Sequence, residues 1–225
     1  MKERPLLEYL ISSLSSDMHT ASLTLPHFAR ERRPEEIWRQ KVFCVLSSQF
    51  NSHKAAAIAD QILQSVPFFD YTLPILAMEE ACFRFLSSKH VGYRFPKVRA
   101  RQISLCWFPF SQIKDEYQEF IRSCGSEESA RDIIIETFPG IGLKQASMFL
   151  RNIGACRNLS VIDVHVLFYL RVCHGWNVGQ LTPKLYLRAE EILRNDAAQY
   201  DLDLNSFDVI VWSAARAIKR AQTNV

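Results

Sequence analysis

Closely spaced cysteines are the first thing this 225-residue chain lacks. Its six cysteines, at positions 44, 82, 106, 124, 156 and 173, never come closer than seventeen residues apart. No C-x-x-C spacing exists, which excludes the usual arrangements for structural zinc and for a four-cysteine iron–sulfur cluster. No apolar run approaches membrane-spanning length and no signal-peptide pattern is found, so the expected location is intracellular, cytoplasm or nucleoid, with reduced and mostly buried thiols. Internal repeats and low-complexity runs are absent. An excess of charge is missing too. The formal net charge is only +3, so any contact with nucleic acid must come from the distribution of charge rather than its total.

Apolar mass is plentiful. Hydrophobic residues make up 48% of the chain and include 15 Phe, enough to build a core in one large domain or two small ones. Only seven glycines and nine prolines punctuate it, and apolar residues recur at spacings of three and four, which predicts a mostly helical globular protein. Helices are expected at Leu6–Leu14, Glu36–Ser48, 53–65, 75–87, 97–105, 111–123, 164–173, 183–194 and 206–220. A short extended piece is expected at Ala21–Leu25, and Cys124-Gly125-Ser126 reads as a helix stop.

The densest information lies between Phe138 and His165. Phe138-Pro139-Gly140-Ile141-Gly142-Leu143-Lys144 places a Pro-Gly-x-Gly turn between two amphipathic segments, Glu127–Phe138 and the stretch carrying Leu143, Ala146, Phe149 and Leu150. This reads as helix, hairpin, helix. Gly140 and Gly142 let the backbone turn tightly and approach a ligand. A helix starting near Gly142 would aim unsatisfied amides and its positive dipole end at a phosphate, gripping a nucleic acid without reading bases. The turn alone is equally well a simple helix end. Lys144 adds to it, because a cation in the first helical turn is opposed by the dipole; an amine so placed is a candidate nucleophile. Surface lysines are otherwise mostly solvated charges.

Nineteen residues after that lysine, Asp163 interrupts the apolar run Leu159-Ser160-Val161-Ile162-Asp163-Val164-His165-Val166-Leu167. Asp163 suits the N-cap of a helix beginning at Val164. A carboxylate fixed there would also suit stabilisation of a developing cation or acceptance of a proton.

The blocks FPGIGLKQASMFLRNIG and LSVIDVHVLFYL resemble the signature of the helix-hairpin-helix DNA glycosylases, and KQASMFLRNIG is most similar to the archaeal-type 8-oxoguanine DNA glycosylases. The resemblance implies that Lys144 is a Schiff-base lysine, that Asp163 is the catalytic aspartate, and that His165 helps to hold the DNA backbone. FCVLSSQFNS, Phe43–Ser52, resembles the family's early helix and the loop that enters the minor groove. It implies that Gln49 is a plug residue with Asn51 beside it on the DNA. In the archaeal-type enzymes the C-terminal tail helps to form the lesion pocket. Here the likeness holds to Trp212 and the expected tail then fails, leaving Phe207, Asp208 and Trp212 as candidate pocket residues, with Trp212 equally open as core filling.

The fold so implied is all-α, two helical lobes around a cleft with a helix-hairpin-helix motif. One glycosylase unit would span 1–225, with lobes of about 20–50 plus 160–225, and 51–159 carrying the motif at 128–153. The expected activity is excision of an oxidised purine, 8-oxoguanine first, from double-stranded DNA through a lysine Schiff base, followed by β-elimination. It would act as a monomer, with no cofactor or metal and no membrane. Another damaged or hypermodified base, including one in foreign DNA, stays open, and so does a noncatalytic DNA-binding module using Lys144 only for phosphate. From Lys89 to Arg101 the run KHVGYRFPKVRAR has no acid and interleaves bases with Tyr93 and Phe95. Arg94 and Lys97 are its candidate DNA contacts, a solvated helix entry being the plain alternative. Arg30, Arg32 and Arg33, diluted by glutamates, are expected in solvated loop.

Overall fold

A computed structural model describes residues 3–21, 32–70 and 72–223. Among these, eleven α-helices form and no strand does: α1 (Glu3–Ala21), α2 (Pro34–Leu46), α3 (Ser52–Ser65), α4 (Ile75–Ser87), α5 (Pro96–Ile113), α6 (Tyr117–Arg122), α7 (Glu127–Thr137), α8 (Leu143–Ile153), α9 (Val164–His174), α10 (Pro183–Gln199) and α11 (Leu204–Thr223). The expected all-helical class is borne out. No described helix is long and apolar enough to cross a membrane.

The chain divides into two compact units, Met1–Ala29 with Cys156–Val225, and Arg30–Ala155. In the second, α2 packs on α3, α5 and α8, and α4 lies along α5. Its core is aromatic: Trp38 meets Trp107 edge-on at 4.9 Å and stacks on Phe110 at 5.4 Å, and Phe110 leads to Tyr117 at 5.3 Å. Such pairs add roughly 0.5–1.5 kcal/mol each beyond the area they bury. This seam explains a departure from the sequence expectation. In place of helices at 97–105 and 111–123, α5 runs unbroken through Pro109 to Ile113, and α6 begins only at Tyr117. Pro109 removes one hydrogen bond to the preceding turn, but Trp107 and Phe110 on either side of it are buried and hold the helix together.

In the first unit α11 packs against α1, α9 and α10. Leu7 and Ile11 of α1, Leu170 of α9, Leu193 of α10, and Phe207, Val211 and Ala215 of α11 are essentially inaccessible to water. Here α1, α10 and α11 all outrun their expected limits: α10 starts at Pro183 as expected, capped by the Thr182 hydroxyl, and runs on to Gln199 with Ala197 buried, while α11 starts early at buried Leu204, where Asp203 accepts from the N–H of Ser206 at 2.8 Å. The extended piece expected at Ala21–Leu25 lies outside the described residues beyond Ala21, as does Arg30. Arg32 is not a solvated loop residue. Its Nε donates to the Ile153 carbonyl at 3.1 Å and its N–H to Gln118 at 2.8 Å, pinning the start of the second unit.

Candidate active site

The hairpin is built as its residue types demand. Gly125 takes φ +80° and stops the preceding helix, and Ser126 caps α7 by accepting from the N–H of Ser129 at 3.0 Å. At the other end the N–H of Phe138 bonds to the carbonyl of Ile134, and the N–H of Ile141 closes the turn on the carbonyl of Phe138 at 3.3 Å. Of the two turn glycines only Gly140 uses positive φ, at +82°. An added Cβ there would run into the side-chain amide of Gln102. Gly142 has ordinary extended backbone and serves differently. As the N-cap of α8 it supplies no capping side chain, and a Cβ at that point would meet nothing nearer than Gln145 Oε1 at 4.0 Å. The first amides of α8 thus have no side-chain cap from Gly142 and lie at the positive end of the helix dipole. Buried Arg131 of α7 donates to the Ser147 hydroxyl of α8 at 3.3 Å and ties the two helices together.

Lys144 is the second residue of α8 and is half-buried. Among the described residues its amine has neither a hydrogen-bond nor an ion-pair partner. The buried face of the same helix, Ala146 to Leu150, packs on α2 and fixes its base.

Asp163 is a fully engaged carboxylate. It caps α9, with Oδ1 accepting from the N–H of His165 at 2.7 Å and of Val166 at 3.1 Å, while Oδ2 accepts from the indole Nε1 of Trp212 at 3.1 Å. The His165 ring meets Trp212 edge-on at 5.5 Å, and its buried Nδ1 has no hydrogen-bond partner. Burial lowers the His165 pKa, Asp163 opposes that effect, and Lys219 and Arg216 add to it. These two cations come from the part of α11 that follows Trp212: the Arg216 guanidinium lies 4.7 Å from the Trp212 ring centre, and Lys219 donates to the Val164 carbonyl at 2.9 Å. Where the family's tail was expected, this chain continues as helix to Thr223.

Asp163, His165 and Trp212 are thus brought together. Phe207 and Asp208 are placed otherwise. At 0% and 1% exposure they present no surface to a ligand: Phe207 lies between the rings of Tyr169 and Tyr200, and Asp208 accepts from the Ser160 hydroxyl at 3.0 Å.

The third group centres on the loop after α2. Exposed Gln49 adopts φ +57°, a left-handed conformation that costs a non-glycine residue energy. Its neighbours are held on all sides. The Tyr93 hydroxyl donates to the Leu46 carbonyl, Phe50 packs on the Tyr93 ring at 4.5 Å, and Asn51 caps α3 by accepting from the N–H of Lys54 at 3.0 Å. The basic run is divided by burial. Tyr93 and Arg99 turn inward, while Arg94, stacked over Phe95 at 4.9 Å, and Lys97 stay exposed. Arg99 donates to the Ser48 carbonyl at 3.1 Å and to Gln102 Oε1 at 2.7 Å. Sequence reasoning missed Arg99 and Gln102 as a pair. Their i, i+3 spacing after Pro96 was the one available signal, and such spacing is common on solvated helices.

A profile of the 8-oxoguanine DNA glycosylase family matches residues 24–202. A relative from Methanocaldococcus jannaschii named 8-oxoguanine DNA glycosylase/AP lyase is 31% identical over 188 residues, covering 81% of this chain and 82% of its own. One of the same name from Korarchaeum cryptofilum is 28% identical over 190 residues, covering 82% of both chains. Among solved structures, the M. jannaschii 8-oxoguanine DNA glycosylase matches with a TM-score of 0.70 at 27% identity, over 91% of this chain and 92% of that one. The M. jannaschii glycosylase/lyase in complex with 15mer DNA containing 8-oxoguanine matches with a TM-score of 0.67 at 26% identity, over 94% and 96%.

Proposed function

The chain belongs to the 8-oxoguanine DNA glycosylase family, and on that premise we propose that it excises 8-oxoguanine from double-stranded DNA and then nicks the strand, as a bifunctional glycosylase and AP lyase acting as a monomer where the cell keeps its DNA. A base inside a duplex hides its sugar carbon, so the nucleotide must leave the stack, at a cost of a few kcal/mol that is lower for a damaged pair. Gln49, already strained and exposed, enters the gap, with Asn51 fixing the start of α3 beside it. Arg94 and Lys97 contact the DNA. The hairpin amides around Gly140 and Gly142 hold a phosphate without reading sequence.

Lys144 Nζ, as a neutral amine, attacks C1′ of the deoxyribose. The C1′–N9 bond breaks, and the base leaves with the electron pair and takes up a proton. Asp163, its carboxylate oriented by two backbone N–H groups and one indole N–H, stabilises the positive charge that develops on the sugar. Ring opening leaves a protonated imine between Lys144 and C1′. That imine acidifies the C2′ proton; its removal drives cleavage of the C3′–O bond, and the 3′ phosphate departs with the electron pair. His165, held neutral by burial, supports the strand near α9. Trp212 serves the site by positioning Asp163.

The observation that carries this reading is a half-buried amine, without a hydrogen-bond or ion-pair partner among the described residues, in the first turn of the helix that follows the hairpin. Its test is incubation with duplex DNA carrying 8-oxoguanine opposite cytosine, followed by chromatography of free base and of strand. The wild type releases 8-oxoguanine and yields a nicked strand ending in an unsaturated aldehyde. Binding without release of any base would leave only a DNA-binding module.

A further inference from the structure

Arg99 and Gln102 touch no part of the loop tip or the hairpin by chance of surface position: both sit on α5, and each faces one of the two DNA-directed elements of its unit. Arg99 is 8% exposed, and its Nη2 donates to the carbonyl of Ser48, the residue immediately before Gln49. Its Nη1 donates to Gln102 Oε1, and the amide of Gln102 lies against Gly140 so closely that a Cβ there would collide with it. A continuous line therefore runs from Gln49 through the Ser48 carbonyl, the Arg99 guanidinium and the Gln102 amide to the backbone of the hairpin.

The geometry assigns Arg99 and Gln102 as positioning residues that hold Gln49 in its left-handed conformation and fix it to the phosphate-gripping hairpin. The inference rests on the reading of Gln49 as the residue that enters the duplex. A non-glycine residue at φ +57° persists only where its surroundings over-determine it. Leu46 and Phe50 are restrained by Tyr93 and Asn51 caps α3, while the peptide that enters Gln49 is held by the Arg99 guanidinium. A planar guanidinium can serve two acceptors in fixed directions at once, which a lysine cannot. Through it, the grip on the backbone and the insertion of Gln49 become one rigid placement, so a duplex seated on the hairpin meets Gln49 in register.

The test is a double-mutant cycle on Gln49→Ala and Arg99→Met, with 8-oxoguanine excision measured under single turnover. Arg99→Met alone slows excision by roughly tenfold to a hundredfold, the scale expected for a misplaced contact group, and trapping on a pre-formed abasic site falls less. In the Gln49→Ala background the same substitution adds little, because Arg99 acts through Gln49. Gln102→Leu, which takes the acceptor away from the Arg99 guanidinium, reproduces the loss, and Gln102→Glu, which keeps an acceptor for Arg99, restores most of it. Insertion is read separately from chemistry by the fluorescence of 2-aminopurine placed beside an abasic site, which rises on binding of wild type and stays low with Arg99→Met. That signal keeps the inference distinct from the choice of excised base, since it needs no 8-oxoguanine. Additive losses in the cycle, or wild-type fluorescence and excision in both Arg99→Met and Gln102→Leu, would overturn it.

Discussion

The indole Nε1 of Trp212 donates to Asp163 Oδ2 at 3.1 Å, while the other oxygen of the same carboxylate caps α9. One side chain therefore does two jobs, and the two are separable. Asp163→Asn keeps an oxygen acceptor for the cap and removes the charge, so its melting temperature stays close to wild type while excision falls by about 10²–10³-fold, the usual loss for an electrostatic stabiliser. Asp163→Ala loses the cap as well, at about 1 kcal/mol. Thermal melts and single-turnover excision on the two variants check this; an Asn variant excising at wild-type rate contradicts the catalytic assignment.

His165 titrates below its ordinary 6.5 because burial disfavours its cation, with Lys219 and Arg216 adding to the effect and Asp163 opposing it. The folded chain then binds fewer protons than the unfolded chain just below pH 6.5, so stability present above that pH is lost as pH falls from 6.5 toward the lowered folded value. Melting curves from pH 8 to 5 should slope downward in this window, and His165→Asn should flatten part of the slope. An unchanged slope in the variant counts against a neutral His165.

Lys41 is the least expected residue in the fold. It is 0% exposed, its amine has no hydrogen-bond partner, and four rings stand over it, with centres at 3.0 Å for Phe138, 4.2 Å for Tyr117, 5.1 Å for Phe110 and 5.3 Å for Phe149. Attraction of a desolvated cation to a ring is worth about 2 kcal/mol, less than the several kcal/mol lost in burying an unpaired ammonium. Burial wins, and the Lys41 pKa lies well below 10.5. The folded state thus favours the neutral amine, and stability rises with pH between the lowered value and 10.5. Lys41→Met should raise the melting temperature at neutral pH and raise it less at pH 10; destabilisation at both would show that the rings hold a cation.

Gly140→Ala tests the turn. At φ +82° a side chain costs about 1–2 kcal/mol, and the new methyl group displaces Gln102. Melting temperature and affinity should both fall, the affinity equally for lesion-bearing and intact duplexes, because the hairpin reads phosphate. Gly142→Ala, with open space around it, should do far less to stability.

The hairpin, Lys144 and Asp163 were legible because their chemistry is local: a turn glycine, a first-turn lysine and an N-cap aspartate each carry their reason within four residues. The helical class was legible from spacing for the same cause. Trp212 stood among the candidate pocket residues, but its bond to Asp163 was not legible, since that partner lies 49 residues away and an apolar helix gives no hint of where an indole N–H points. Lys41 and Arg99 look in sequence like any solvated cation; only tertiary packing buries them. The break expected between 105 and 111 falls at Pro109, whose local helix-breaking tendency is outweighed by the aromatic seam of Trp107 and Phe110.

The covalent bond between Lys144 and the sugar is the central step of the proposed reaction. Borohydride trapping on a duplex containing 8-oxoguanine, with wild type beside Lys144→Gln, reads that bond as a protein–DNA adduct. The wild type should form an adduct, its mass localised by peptide mapping to Lys144, and Lys144→Gln none, although that variant still binds the duplex. An adduct that forms equally well without Lys144, or no adduct from a wild type that binds and releases the base, would contradict it.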